Sequence, residues 1–393
     1  MQRFKGFALH RVACFLLISF LSFGALCVAQ EVDPAETSPQ AATHAAAAPQ
    51  TGNAPRAATA PHAAPRYFMS DTSFSFTYFP SATDPGVSGS AGSLPGGVPG
   101  KKNTFPRYSF SLDHFDVWKY GTNQLHGEFN QYGRNDPVNG IPGAVGTREF
   151  LGLWTGTLGF NELRHSKAFS TALTKDVSFM LNLSGETENN FHAPVMEQVA
   201  PGLQFNLKLP GVVNVGIAGM KEWNHNTYSA CGPAKAFSGV AYVGFQGQCI
   251  GGGSSSGDTN MDWTWKIFSF VSEPLRFLPS YMPITFQNVL NITGPKGTGL
   301  SAAQCVALGC AGTLGPHDAF GINNTKTEVF EDARLSFDAS KVRGGTPGTW
   351  DIFVGYRYWY NKYGQNHKDW LFATVAPGTA MERSFFVGTT FHF

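Results

Sequence analysis

From Tyr67 to the C-terminus the chain alternates apolar and polar residues in short runs. Ser73-Phe74-Ser75-Phe76-Thr77-Tyr78 alternates without a break, and Arg107-Tyr108-Ser109-Phe110-Ser111-Leu112-Asp113 repeats the pattern. Successive side chains of a strand point to opposite faces, so each run has one apolar and one polar face. Further runs centre on Leu125–Phe129, Phe150–Leu158, Val177–Leu183, Leu203–Leu209, Val213–Ile217, Trp263–Ile267, Ile284–Ile292, Val329–Phe337, Ile352–Tyr360 and Phe385–Phe393. Together they predict about twelve strands, an even number, as bacterial single-chain barrels have. No stretch sustains a 3.6-residue period, which argues against long helices. Residues 161–174 resist this parse.

The links alternate as well. Those after odd-numbered strands are long and rich in Gly, Pro, Ser and Asn: 80–104, 132–147, 188–198, 224–261, 293–325 and 362–382. Those after even-numbered strands are mostly short, and one is little more than Pro210-Gly211. An outer-membrane barrel has long loops outside and short turns in the periplasm, whereas a soluble sandwich has no reason to sort its links this way. The predicted fold is all-β: a transmembrane antiparallel up-and-down β-barrel over 67–393 in the bacterial outer membrane, with both termini periplasmic. Phe74, Phe76, Tyr78, Tyr108, Phe110, Leu112, Val177, Phe179, Leu181, Leu183, Phe205, Leu207, Val354, Tyr356 and Tyr358 share the apolar parity and would meet outer-membrane lipid. Trp118, Trp154, Trp223, Trp263, Tyr360 and Phe393 fall near predicted strand ends, where aromatic girdles belong.

Composition supports a barrel over a helical membrane protein: Phe numbers 34, Gly 45, and charged residues make up only 14%. A formal net charge of +1 without a basic tract gives no reason to expect nucleic acid. Residues 1–29 read as a secretory signal, with Arg3, Lys5 and Arg11, an apolar stretch Ala13–Leu21, and Cys27-Val28-Ala29 at the cleavage region. Cys27 raises the lipoprotein alternative, although Gly24-Ala25-Leu26 is a poor lipobox. Residues 30–66, rich in Ala, Pro, Thr and Gln, have too little apolar surface to fold and are expected to form a disordered periplasmic linker. After the signal no run reaches the roughly 20 apolar residues a transmembrane helix needs. No long plug domain precedes the barrel, which argues against an energy-coupled transporter. Cys231, Cys249, Cys305 and Cys310 remain, and four cysteines allow three pairings. Cys231–Cys249 and Cys305–Cys310 are expected, each closing one Gly/Ser-rich loop. No His or Asp stands at ligand spacing beside them, so no metal is expected.

The polar parity predicts the lumen. Arg107, Asp113, His126, Glu128, Lys266, Asp332, Arg334 and Arg357 carry charge there, and Phe268, Phe330 and Phe386 sit among them. These residues are the candidate pore lining. Both signs are present, so pairing across neighbouring strands is the main expected role, whereas a ring of one sign would imply ion selectivity. Hydrogen-bonding groups with a few rings suit a neutral polar solute with a flat face, such as a sugar, a nucleoside or an aromatic metabolite. An inward Phe also serves as filler. Twelve strands lie between the plugged eight-stranded barrels and the open sixteen-stranded ones, giving a narrow pore or a closed barrel. No cofactor and no catalytic constellation is expected. His165-Ser166 is an adjacent pair but lies in a predicted turn, and His114 is near Ser109 and Ser111 only in sequence. An outer-membrane lipid-modifying enzyme is therefore the weaker alternative. A surface receptor or adhesin whose stapled loops bind phage or other surface ligands is the other.

The final residues, Ser384 to Phe393, form an amphipathic strand ending in an aromatic, which resembles the C-terminal signal read by the barrel-assembly machinery through Phe393. A second segment is more specific. His114-Phe115-Asp116-Val117-Trp118-Lys119-Tyr120-Gly121-Thr122-Asn123 joins the second and third strands. It resembles the Trp-Lys-Tyr-Gly-Asp-Asn type of turn in the Tsx-like nucleoside-specific channel family, which includes the outer-membrane protein K group. Phe160–Lys175 followed by Val177–Glu186 is loosely similar to that family's middle region. The resemblance implies passive diffusion of small polar solutes, nucleosides among them, through a monomeric barrel, and for some members service as phage or colicin receptors. Phe115, Asp116 and Tyr120 match the turn. The following strand, Gln124-Leu125-His126-Gly127-Glu128-Phe129, departs from the family by being less aromatic, with Glu128 as its only acid, and the paired cysteines lie outside the family pattern.

Overall fold

The computed structural model describes residues 67–84, 104–133, 146–189, 195–225, 258–296, 325–364, 366–368 and 378–393. The expected signal and linker, and all four remaining cysteines, lie outside the described residues. The strands are β1 (Tyr67–Ala82), β2 (Phe105–Trp118), β3 (Gly121–Tyr132), β4 (Arg148–Gly159), β5 (Thr174–Glu188), β6 (Val195–Leu207), β7 (Val212–His225), β8 (Asp258–Asn260), β9 (Thr264–Pro274), β10 (Ile284–Thr293), β11 (Glu328–Asp338), β12 (Trp350–Tyr360) and β13 (Met381–His392). Neighbours in sequence pair antiparallel, β1 pairs β13, and β6 pairs β7, so the sheet closes on itself. β8 is a three-residue addition to the end of β7, and β7 pairs directly with β9. Twelve strands therefore form a closed antiparallel β-barrel. Closure removes the unpaired edges that an open sheet would present.

Side-chain parity produces the two surfaces. Ser73, Ser75, Ser109 and Ser111 point inward and are buried, while their neighbours Phe74, Tyr108, Phe110 and Leu112 stay exposed on the outer wall. The exposure is large: Leu112 is 53% accessible, Ile217 51% and Phe385 73%. A belt of this size would promote aggregation in water but matches a hydrocarbon solvent. Among the described residues no helix is long and apolar enough to cross a membrane.

The interior is filled from both ends of the alphabet of side chains. Phe79, Ala82, Phe105, Tyr132, Phe353 and Phe386 form one inward cluster, and Met180, Ala200, Ala218 and Met220, with Phe268 against them, form another. Glycine makes room for the rings. Phe353 pairs directly with Gly388, and Gly355 with Phe386. A Cβ on Gly388 would lie 2.3 Å from the Phe353 ring, and one on Gly355 2.2 Å from the Phe386 ring. Each ring thus lies over the bare backbone of the opposite strand.

Four details differ from the sequence reading. The link expected over 188–198 is only 189–194, because Val195–Gln198 still pairs with Ser184–Thr187. Residues 161–174 contain a short helix, α1 (Phe160–Arg164), and a second, α2 (Ala339–Val342), lies in another short link. Both are single turns, too short for a 3.6-residue pattern to register. Trp154 is outward but mid-strand rather than near a strand end, since β4 runs from Arg148 to Gly159. Leu151 and Leu153 occupy inward positions of β4 opposite Glu186 and Ser184, so the inward face is not uniformly polar.

Candidate functional site

The inward face of the long-loop half of the barrel gathers charges, amides and rings. Arg107 on β2 is fully buried. Its guanidinium donates to Glu382 on β13 at 3.1 Å and lies 4.1 Å from the Phe79 ring centre. Lys362, just past β12, reaches the same carboxylate at 3.2 Å, lies 3.1 Å from Asp84, and donates to the Thr83 carbonyl at 2.5 Å. Its ammonium also sits 4.5 Å from the Trp359 ring. Burial would lower the Lys362 pKa, but the carboxylates of Asp84 and Glu382 outweigh it and hold the group above its ordinary value.

A carboxylate series runs along β2 to β5, alongside Arg107 and across the lumen from the end of β12. On β2 and β3, Asp113 Oδ1 lies 2.6 Å from His126 Nδ1, and His126 Nε2 lies 3.5 Å from Glu128 Oε2. Asn130 donates to Glu128 at 2.8 Å and to Glu149 at 3.3 Å. The Tyr132 hydroxyl also donates to Glu149. Glu149, Glu186 and Glu188 then bring one carboxylate oxygen each within 4.8 Å of one another, all three buried. Among the described residues this is the group with ligand atoms close enough to hold a cation.

One hydrogen bond joins the two sides. Tyr363 Oη donates to Glu186 Oε1 at 3.0 Å. Tyr363 follows β12 and Glu186 is on β5; the path β12, β13, β1, β2, β3, β4, β5 is half of the ring. The contact therefore spans the lumen. The chain reaches inward because Asn361, Tyr363 and Gly364 all take left-handed backbone, with φ of 51°, 56° and 78°. That conformation is uncommon outside glycine and turns the strand end sharply. The turn is tied down by Asn361 Nδ2 donating to the Thr327 carbonyl and by Lys362 N donating to Ala380 O. Burial, then the negative charge of Glu186, keeps the Tyr363 hydroxyl well above its ordinary pKa, so it stays a donor.

The remaining lining divides into two walls. Arg357 on β12 binds Asp332 on β11 through two nitrogens, at 2.6 and 3.0 Å, and stands over Phe79 and Phe330 at 4.5 and 5.2 Å. Arg334 donates to Gln287 at 2.5 Å and stands 5.0 Å over Phe353. On β6, β7 and β9, Lys266 lies 3.5 Å from Gln198, whose amide donates to Glu222 at 2.8 Å; Lys296 donates to Glu222 at 2.6 Å.

The structure thus places Arg107, Asp113, His126, Glu128, Lys266, Phe268, Phe330, Asp332, Arg334, Arg357 and Phe386 at inward positions. It brings Asp113, His126 and Glu128 together, and Arg357, Asp332 and Phe330 together. Lys266 and Phe268 are on the far side. Phe386 and Phe268 are packed into side-chain clusters, the latter over Gly216, so they fill rather than line. The residues missed by the sequence reading include Asp84, Glu188, Lys362, Tyr363 and Glu382, which fall in expected links, and Glu149, which lies one residue before the Phe150–Leu158 run. Longer strands would have found Glu149, Glu188 and Glu382.

The Ser and His residues weighed for hydrolysis are not brought together. Ser109 and Ser111 point inward, away from His114. His114 instead meets Thr72 at 2.9 Å and Asp116 at 3.6 Å, close to where Phe393 N donates to the Thr72 carbonyl. The group pins the short-turn end of β1 and β2. His165 is the left-handed C-cap of α1.

No family model matches the chain, and no curated protein matches it. Solved structures similar to it include the NanC porin, at 10% identity, covering 82% of this chain and 99% of that one with a TM-score of 0.34. The translocator domain of the autotransporter NalP from Neisseria meningitidis is 9% identical, with coverage of 85% and 90% and a TM-score of 0.36. OprB of Pseudomonas putida is 7% identical, with coverage of 84% and 94% and a TM-score of 0.27. Likeness at this level adds nothing to what the strand order itself establishes.

Proposed function

We propose that this protein is an outer-membrane channel for passive diffusion of small polar solutes, nucleosides among them. The observation that carries the reading is a barrel with a largely apolar exposed wall around a lumen lined by paired acidic and basic groups and crossed by the Tyr363–Glu186 contact. Glu128, Glu149, Glu186 and Glu188 occupy β3 to β5, while Arg334 and Arg357 occupy the opposite β11 and β12, with Lys362 just beyond. A field across the passage turns dipolar solutes and disfavours none of either sign outright. Phe330 and Trp359 meet edge to face, with ring centres 5.4 Å apart, and add aromatic surface for a nucleobase beside these donors and acceptors. The turn Trp118-Lys119-Tyr120-Gly121-Thr122-Asn123 adds the resemblance to Tsx-like channels; its role here is register, since Asn123 donates to Asp116 at 3.0 Å across β2 and β3.

Liposome swelling tests the solute class. Liposomes carrying the protein should swell in isosmotic nucleoside faster than in a disaccharide of greater bulk. Equal rates would remove the nucleoside preference and leave a general channel, and no swelling in any solute would remove the channel.

A further inference from the structure

Polar residues on the outer wall mostly sit at strand ends: His114, Asp116 and Asn123 at the short-turn end, Gln131 and Arg148 at the loop end. Asn288 and Glu331 do not. Asn288, the fifth residue of the ten in β10, stands in the outward row by register but is only 4% exposed, and Glu331 lies between outward Val329 and Ala333 on β11. Asn288 Nδ2 donates to Glu331 Oε1 at 2.9 Å. Among the described residues that is the carboxylate's hydrogen bond. A carboxylate within a lipid-facing apolar band is costly and calls for a partner.

The same row of the sheet supplies the opposite charge. Glu331 pairs with Tyr358 on β12, and Tyr358 pairs with Arg383 on β13. All three point outward. The exposed Arg383 guanidinium lies 5.8 Å from the Tyr358 ring. One face of the barrel thus carries an acid and a base two strands apart with a phenol between them.

We propose that this face, β10 to β13, is a two-fold interface with a second copy of the chain, in place of the monomeric barrel that the Tsx-like resemblance implies. The proposal rests on the reading that the outer wall faces lipid. Two barrels inserted in the same direction are related by an axis along the membrane normal, and an isologous contact then sets residue i of one against residue j of the other, twice. Glu331 of each copy meets Arg383 of its mate. Strands spaced about 4.8 Å apart and tilted by about 40° put the two residues at depths differing by roughly 6 Å, which an arginine side chain spans. Self-complementary charge on one face distinguishes this arrangement from a lone headgroup contact, which would need the cation but not the acid within the band.

The test is oligomeric state in lipid. Full-length protein is reconstituted in liposomes, floated to verify insertion, and counted by single-molecule photobleaching. Wild type is expected as dimers. Glu331→Arg and Arg383→Glu are each expected to dissociate about tenfold more readily, the loss of paired charges being of that order. An equimolar mixture of the two variants should regain dimers, because each contact then sets opposite charges together. Inserted wild-type monomers, larger rings, single variants that dimerise like wild type, or a mixture that stays monomeric would each overturn the interface. Failure of the wild type to float with the liposomes would overturn the lipid-facing reading along with it.

Discussion

Arg107 has its charge partner and its aromatic neighbours inside one closed space. Its side chain and that of Glu382 are 2% and 0% exposed. Removing one member of such a pair leaves the other charge buried and uncompensated, at a cost of about 3–5 kcal/mol. Arg107→Leu is therefore expected to lower unfolding stability by about that much, read from urea titration of the refolded protein; a change under about 1 kcal/mol would show the pair to be solvated. Lys362 makes a pH prediction. Its folded pKa is above the ordinary 10.5, through Asp84 and Glu382. A raised lysine pKa means that the folded state holds its proton more tightly, so the stabilisation is fully present below 10.5 and disappears as pH rises through the folded value. Wild type should lose stability in that alkaline window more steeply than Lys362→Met, and parallel curves would contradict the assignment. Glycine gives a third residue-scale expectation: Gly388→Ala would drive a Cβ into the Phe353 ring and should cost about 1–3 kcal/mol, measurable in the same titration. Parity alone placed Arg107 inside. It did not reveal Glu382 or Lys362 as partners, because cross-barrel neighbours depend on register, which alternation leaves open.

At the scale of elements, the informative segment is Asn361 to Gly364. Sequence alternation located the strands because each must satisfy two different solvents, and that demand is written at every second residue. Links carry no such demand. The strand end that turns inward after Tyr360 therefore read as the start of a loop, and α1 and α2 as irregular turns. The inward turn nevertheless crosses the lumen by placing the Tyr363 hydroxyl on Glu186. Tyr363→Phe removes that donor and leaves a buried acceptor, which should cost about 1–3 kcal/mol and widen the passage. Tyr363→Ala removes the ring as well and should raise single-channel conductance further. Conductance equal to wild type in both variants would show that the narrowest point lies elsewhere.

For the molecule as a whole, one geometric fact organises the rest: closing the ring separates an outer wall from an inside that must be filled or wet. The outer wall is apolar over most of its exposed surface. The inside is filled by Phe and Met clusters in two places and by hydrogen-bonded charge elsewhere. The barrel and its two faces were legible from periodicity and link lengths. The degree of filling was not, because it depends on which inward rings find a glycine opposite, as Phe353 and Phe386 do. Filling of this kind fits the narrow passage proposed here rather than a wide aqueous pore.

The most direct measurement is single-channel conductance of the refolded protein in a planar bilayer, with and without nucleosides. The account predicts small, discrete steps that nucleosides reduce and simple sugars leave unchanged, with larger steps from Tyr363→Ala. A correctly folded barrel that inserts and passes no current, in wild type and in Tyr363→Ala alike, would contradict it.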